Sequence, residues 1–420
     1  MTEIKKRNGD YVAFDSQRII NAVNKAFKEV RNEENNEAAQ EIADQIYSFV
    51  KGKSNREVDV EHIQDFVEDL LMEWGFKDVA RAYIRYRYKK EVARNTKDDF
   101  INAIREKLDA TNVQNQNANV DEKSFGGRTG EASSVVTKQL ALDYIVSPMA
   151  RANHLNNEIY IHDLDSYYIG SHNCLSIPFD DLLAKGFNTR QTDVRPAQSI
   201  NTAFQLIAVI FQLQSLNQFG GVAATHLDWT MVPYVRKSFS KHMKEGLRYI
   251  EHITNEEYLN SIPNELKFDD LEANDSHHAE AYKYAIDMTE RECAQASEGL
   301  FHNLNTLQSR SGNQLPFTSI NLGTCTLPEG RLVIKSILNA CLKGVGKVHK
   351  TSIFPCLIFQ LGKGINRKPG DPNYDLYQLA LKCTAKRLYP NYANLDWSGN
   401  AGYDKNDPRT YFSTISNTVA

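Results

Sequence analysis

The first ninety-odd residues alternate apolar and polar positions in a way that separates them from the rest of the chain. Ile4 to Phe14 holds two short runs around Asn8-Gly9, a dipeptide that tolerates the positive φ angles of a type I′ turn, so the pattern predicts a β-hairpin. Behind Asp15-Ser16, residues Ile19, Val23, Ala26, Phe27 and Val30 recur at helical spacing. Ile42, Ile46, Phe49 and Val50 predict a second helix, and Ile63, Phe66, Val67, Leu70 and Leu71 a third that ends at Gly75. A fourth starts near Asp78 with Ala80, Ile84 and Tyr88 on one face, and its stretch Val79 to Arg94 sets six basic side chains against one acid. A hairpin and four short helices make a compact α-rich unit over residues 1–95. Residues 96–125 are expected to form a linker, because Thr111 to Asn119 is too polar to pack.

From 126 to 420 the period changes repeatedly. Helical patterns over Ser134–Ile145, Ala197–Leu216, Thr230–Ile253 and His277–Phe301 alternate with short apolar or β-branched runs at Glu158–His162, Pro316–Cys325 and Thr351–Gln360. That alternation predicts an α/β architecture for the larger part. No internal repeat is visible.

Composition narrows the partners only slightly. A length of 420 residues suits two or three domains. The net charge of −4, from 49 basic and 53 acidic side chains, gives no overall basic field for nucleic acid. The longest apolar-leaning run, Ala203 to Leu216, is broken by Gln205, Gln212 and Gln214, which excludes a membrane span there. The N-terminus has no secretory pattern, so the cytoplasm is the expected compartment. Six cysteines without a Cys-x-x-Cys pair argue for reduced thiols over a zinc knuckle or a disulfide framework. The final residues, Tyr411 to Ala420, stop within what reads as a strand, and the expectation is a fragment.

Candidate chemistry falls in several places. The hairpin tip Lys6-Arg7 and the basic helix around Arg81, Arg85, Arg87 and Lys90, joined by Arg18, suit a polyanion such as a triphosphate; a solvated basic face is the alternative. Gly344-Val-Gly-Lys347 lacks the spacing of a phosphate-binding loop. His162, Asp163, Asp165 and His172 offer metal-ligand chemistry, and Cys174 with His172 a nucleophile and base, against the reading of polar groups satisfied at strand ends. Arg195-Pro196-Ala-Gln198-Ser199 reads as a helix start with Pro near the first turn, either an anion site or a simple cap. His277-His278 with Glu280 reads as a solvated helix start, and Gly220-Gly221 as a turn where backbone approaches a ligand or another chain.

Taken together, these segments resemble the large subunit of the anaerobic, class III ribonucleoside-triphosphate reductases, a glycyl radical enzyme family with an N-terminal ATP-cone. The cone marks are Lys6 to Gly9, Phe14, Ile63-Gln64-Asp65 with Val67-Glu68, and Ala82-Tyr83-Ile84 with Tyr86-Arg87. The reductase marks are Asn117 to Arg128, Tyr160 to Asp165, His172-Asn173-Cys174-Leu175, Arg195 to Ser199 and Pro316 to Asn321, in that order. The resemblance implies part of a ten-stranded α/β barrel, a cytoplasmic homodimer or larger assembly, and reduction of ribonucleoside triphosphates by glycyl and thiyl radical chemistry. It implies a radical-SAM activating enzyme, and formate or a thioredoxin-like protein as reductant, with neither nucleic acid nor membrane as partner.

At residue level it makes Cys174 the second active-site thiol, assisting at C2′ of the ribose. It places His172, Asn173, Arg195, Gln198 and Ser199 at the substrate, and Lys6, Arg7, Arg18, Gln64 and Lys90 at ATP or dATP, the allosteric effectors of the cone. The Met-Gly-Cys finger loop, the Arg-x-x-Gly-Tyr radical motif and a paired-cysteine zinc site are absent from this chain. The resemblance implies that all three, zinc included, lie beyond Ala420, so this chain alone is expected to be inactive and to hold no metal. Cys383 reads instead as a packing residue on a helix. The alternatives are a nucleotide-sensing fragment without catalysis and a metallohydrolase built on His162, Asp163 and His172.

Overall fold

The computed structural model describes residues 3–7, 10–52, 58–109, 123–170, 174–218, 220–270, 277–309, 313–397, 404, 406–411 and 413–415, with backbone alone for 93–98 and 270. The chain divides into two compact units, Met1–Ala103 and Ile104–Ala420.

In the first unit, β1 (Glu3–Lys5) pairs antiparallel with β2 (Tyr11–Ala13), Lys5 opposite Tyr11. Asn8 and Gly9 lie outside the described residues; the Lys6 N–H donates to the Asp10 carbonyl across the turn at 2.7 Å. Four helices follow: α1 (Ser16–Arg31), α2 (Asn36–Gly52), α3 (Val60–Glu73) and α4 (Lys77–Asp109). Asp15 caps α1 by accepting from the Gln17 N–H at 3.1 Å, and Asp59 caps α3 by accepting from Glu61 and His62 at 3.0 Å each. These short side-chain acceptors satisfy N–H groups that a helix leaves over at its start. Val23, Phe27, Ile42, Ile46, Val67 and Leu71 fill the core on the predicted stripes.

Two expectations change in this unit. The buried face of α4 is Val79, Ala80, Ala82 and Tyr83, while Tyr88 is exposed and Ile84 half-buried, so the apolar stripe is displaced from the one read in the sequence. The linker expected from residue 96 begins instead as α4, which continues to Asp109.

The second unit opens with α5 (Phe125–Leu140), a π-helical turn over Ala141–Ile145, and α6 (Pro148–Leu155). The run Glu158–His162, expected as a strand, forms turns and irregular chain. The Ile161 N–H bonds to the ring of His154 at 3.2 Å rather than to a strand. Then come β3 (Leu175–Ser176), α7 (Phe179–Lys185), β4 (Phe187–Asn188), β5 (Asp193–Val194), α8 (Ile200–Ser215) and β6 (Val222–Ala224). Next are α9 (Leu227–Thr230), α10 (Val232–Tyr249), α11 (Glu256–Ser261), α12 (Ala279–Thr306) and β7 (Thr318–Leu322). The series ends with α13 (Pro328–Lys343), β8 (Cys356–Leu361), α14 (Tyr374–Arg387) and β9 (Asn391–Asn394).

Strands β3, β6, β7, β8 and β9 form one parallel sheet in chain order, and β4 pairs with β5 in a small antiparallel ribbon. All five residues of β7 are buried, the mark of a strand covered on both faces. Phe204, Ile207, Phe211, Leu300, Phe301, Ile337 and Phe359 pack the helices to this sheet. The α/β class holds, and the described residues form an open five-stranded sheet.

Candidate nucleotide sites and thiol centre

In the N-terminal unit the hairpin brings Arg7 to α3. Its guanidinium donates to the Glu61 carboxylate and, at 3.1 Å, to Oε1 of Gln64. Arg87 of α4 donates to the same Glu61 at 2.6 Å, to Asp65 at 2.6 Å and to Glu68 at 2.8 Å. Glu61 is thus the protein's own anion on the two guanidiniums, and Arg7 with Gln64 form one neighbourhood.

Arg18, largely exposed beside Asp15, belongs to another. It lines a cavity of about 460 Å³ between α1 and α4 together with Asn21, Lys25, Ala82, Tyr83 and Tyr86. Lys90 reaches back over the Tyr86 ring, 5.7 Å from its centroid. Tyr83 sits between the two neighbourhoods. Burial, and then the charge of Glu68, push its phenol up to about 12, while Arg87 and Arg7 act in the opposite sense. The sequence offered Tyr83 only as part of a motif, because the residues it meets lie on other helices. Lys6 is exposed.

Cys174 immediately precedes β3. The Leu175 N–H donates to the Gly221 carbonyl at 3.1 Å, and Leu175 pairs with Val222, so the thiol stands at the leading end of the first strand. It is half-buried, whereas the other five cysteines are buried. Burial pushes the Cys293 thiol up to about 12 and raises that of Cys325 further. Cys383 lies on the packing face of α14, its thiol directed at the Leu338 carbonyl at 3.6 Å. His172 and Asn173 lie outside the described residues.

The remaining sequence candidates lie around the start of α8 and in the turns before β3. Arg195 follows β5 and is exposed. Ser199 is the cap of α8, accepting from the Thr202 N–H at 3.2 Å; Pro196 therefore lies outside the helix, not in its first turn. The next helix-start donors are already taken: Ile200 N–H bonds to Ser238 Oγ at 2.9 Å and Asn201 N–H to Glu292 Oε1 at 3.2 Å. The anion at this helix start is the carboxylate of Glu292, 91 residues from Asn201 in sequence. Asp165 accepts from Ser134 Oγ at 3.0 Å, and the exposed His162 stands edge-on to Tyr160. Among the described residues no group of three or more His, Cys, Asp or Glu side chains is placed to hold a metal. His278 bonds to Glu251 at 2.6 Å and to the Tyr258 hydroxyl at 3.0 Å at the start of α12.

Gln198 leads to a site that the sequence reading missed. It lines a cavity of about 530 Å³ with Lys237, Lys241, Lys244, Glu245 and Arg248. The four cations recur every three or four residues along α10 and so share a face. Their counter-charges are partial: Lys237 is 3.8 Å from Glu265, Lys241 3.8 Å from Glu245, and Arg248 2.6 Å from Glu256. Glu245 also reaches inward to His242 at 2.9 Å, whose other ring nitrogen meets Glu292 at 2.8 Å. The basic spacing was present in the sequence, but a solvated helix face has the same pattern.

Five parallel strands with a half-buried thiol at the leading end of the first, and a cation-lined cavity in each unit, mark an α/β protein with a helical N-terminal unit. The ATP cone domain model matches residues 2–92, and the anaerobic ribonucleoside-triphosphate reductase model matches residues 116–412. The chain belongs to the anaerobic ribonucleoside-triphosphate reductase family. It is 33% identical over 397 residues to the Haemophilus influenzae reductase of that name, covering 93% of this chain and 52% of the relative. To the Escherichia coli reductase it is 33% identical over 396 residues, covering 94% and 51%. A crystal structure of the anaerobic ribonucleotide reductase from Thermotoga maritima in complex with dATP and CTP aligns at 15% identity and a TM-score of 0.44, over 66% of this chain and 44% of that one. The chain spans about half the length of the curated relatives it matches. Among the described residues no helix is long and apolar enough to cross a membrane.

Proposed function

We propose that this chain serves the reduction of ribonucleoside triphosphates to 2′-deoxyribonucleoside triphosphates in the cytoplasm. In this reading residues 1–95 are the regulatory cone and 126–420 carry the reductase fold. The supporting observation is Cys174: one half-buried thiol among six, at the edge of the parallel sheet, in a chain of this family. Its role is to assist proton and hydrogen-atom delivery at C2′, for which a polarisable sulfur with a weak S–H bond is suited. The glycyl radical that the resemblance implies would oxidise a finger-loop cysteine to the thiyl that takes the 3′ hydrogen; an activating radical-SAM enzyme and a formate or thioredoxin-like reductant are the partners.

His172 and Asn173, flanking the thiol in sequence, are assigned to the substrate with Arg195. The cone takes ATP or dATP in the cavity between α1 and α4, with Arg18 and Lys90 on the phosphates. Arg7, Lys6 and Gln64 close the hairpin side once Glu61 yields Arg7. The α10 cavity, with Gln198 at its rim, takes the polyphosphate of a second effector.

The test uses a polypeptide of the relatives' full length that carries this chain, activated anaerobically and supplied with CTP. Cys174→Ala abolishes dCTP formation while dATP binding by calorimetry persists. Undiminished dCTP formation by that variant overturns the catalytic role. Binding of dATP without any turnover in the parent supports the nucleotide-sensing alternative.

A further inference from the structure

Cys174, Gly221 and Phe317 stand in one row across the first three strands of the sheet. The pairings Leu175 with Val222 and Val222 with Thr318, extended back by one residue, put the three side by side. Two hydrogen bonds continue the ladder there: Leu175 N–H to Gly221 O at 3.1 Å and Val222 N–H to Phe317 O at 2.9 Å. Residues side by side in a sheet point to the same face. A Cβ on Gly221 would meet the Phe317 ring at 2.7 Å and Cγ2 of Ile415 at 2.8 Å. The chain around Ile415 therefore lies against the face to which the Cys174 row points, and glycine at 221 leaves it room.

What holds that distant segment is a side chain. Asn321 is fully buried on β7, four residues beyond Phe317 and so on the same face. Its Nδ2 donates to the Ala224 carbonyl and to the Thr414 carbonyl, at 3.0 Å each, and its Oδ1 accepts from the Thr414 N–H at 3.1 Å. A carboxamide offers a donor and an acceptor side by side without charge, the pairing that a neighbouring peptide group would give.

We propose that Asn321 is a positioning residue whose carboxamide pins the peptide of Thr414 to the sheet and so seats residues 413–415 over the row that carries Cys174. Its bearing on catalysis rests on the reductase reading, in which the Cys174 thiol works on this face; the seating itself does not. Thr414 and Ile415 are half-buried, and the amide pair fixes the position of the peptide between them and the sheet.

The experiment introduces Ile415→Cys into this chain and measures the rate at which a short bismaleimide couples residue 415 to Cys174, with the sites located by mass spectrometry. The other five cysteines are buried and do not compete. Coupling is expected in the otherwise unaltered chain. It slows about tenfold in Asn321→Asp, which sets a carboxylate against two carbonyls, and in Thr414→Pro, which removes the donated N–H; the loss of two hydrogen bonds in the first and of one in the second carries an effect of that size. Thr414→Pro changes no residue of the sheet and removes one hydrogen bond where Asn321→Asp removes two, so its melting temperature falls less than that of Asn321→Asp while its coupling rate falls as far. Parent-like coupling in both variants, or no coupling in any chain, overturns the proposal. Loss of deoxynucleotide formation does not enter this readout, so failure of the reductase reading and failure of the clamp are separable.

Discussion

Asp228 shows how one residue can organise a strand end without touching a ligand. Fully buried on α9, its Oδ2 accepts from the N–H groups of Gly323, Thr324 and Cys325, each at 2.9 Å, so the turn after β7 closes around a carboxylate. Its Oδ1 has no hydrogen-bond partner among the described residues. Burial raises its pKa against the effect of those three donors. An amide can keep the accepting oxygen and shed the charge. Asp228→Asn is therefore expected to stay within about 1 kcal/mol of the parent in denaturant unfolding, whereas Asp228→Ala, which strands three buried N–H groups, costs on the order of 3 kcal/mol or more. Equal losses in the two variants would mean that the charge, not the acceptor, matters. Nothing in the sequence marked Asp228, because its partners lie some ninety-five residues downstream. Cys174 was legible for the opposite reason: its chemistry is in its own sulfur.

At the scale of elements, the start of α8 depends on two other helices. Glu292 of α12 accepts from Asn201 N–H and from Ser238 Oγ of α10, and His242 of α10 lies between Glu292 and Glu245. Burial opposes the charge on His242, but hydrogen bonds to Glu292 and Glu245 outweigh it and raise its pKa. Burial likewise disfavours the Glu292 carboxylate, and its hydrogen bonds from His242 and Asn201 N–H prevail and lower its pKa. The raised histidine contributes stability that is complete below its unfolded value near 6.5 and is lost as pH rises through its folded value. The depressed glutamate contributes stability that is complete above its unfolded value near 4.3 and is lost as pH falls through its folded value. Both contributions are therefore full between about pH 4.3 and 6.5. His242→Gln should flatten the decline of the unfolding midpoint as pH rises above about 6.5, and a decline as steep as the parent's would remove His242 as its source. The helices themselves were readable from their apolar spacing. The start of α8 was misplaced by three residues because Pro196 suggested a first turn, whereas the cap is Ser199, chosen by Glu292 and Ser238 from outside the local sequence.

Over the whole molecule, two cation-lined cavities occur in different units, one between α1 and α4 and one along α10. The −4 net charge hid both, because clustered cations are cancelled in the sum by acids elsewhere. The first cavity has aromatic walls in Tyr83 and Tyr86 beside Arg18, a surface on which a base can stack while its phosphates meet cations. The α10 cavity is rimmed by Lys237, Lys241, Lys244 and Arg248 and suits phosphate first. The two ligand chemistries are thereby distinguishable by hydrogen exchange on this chain. At a hundred times its Kd, dATP is expected to slow exchange in α1 and the first turns of α4, by up to about a hundredfold for amides that exchange through global opening of their unit. Inorganic tripolyphosphate should instead protect α10 and leave α1 unchanged. Lys241→Gln with Lys244→Gln should abolish the tripolyphosphate effect and spare dATP protection in α1, since neither lysine lies in the cone. Protection of α1 by tripolyphosphate alone would mean that the cone reads phosphate without the base, and the aromatic walls would then have no part in recognition.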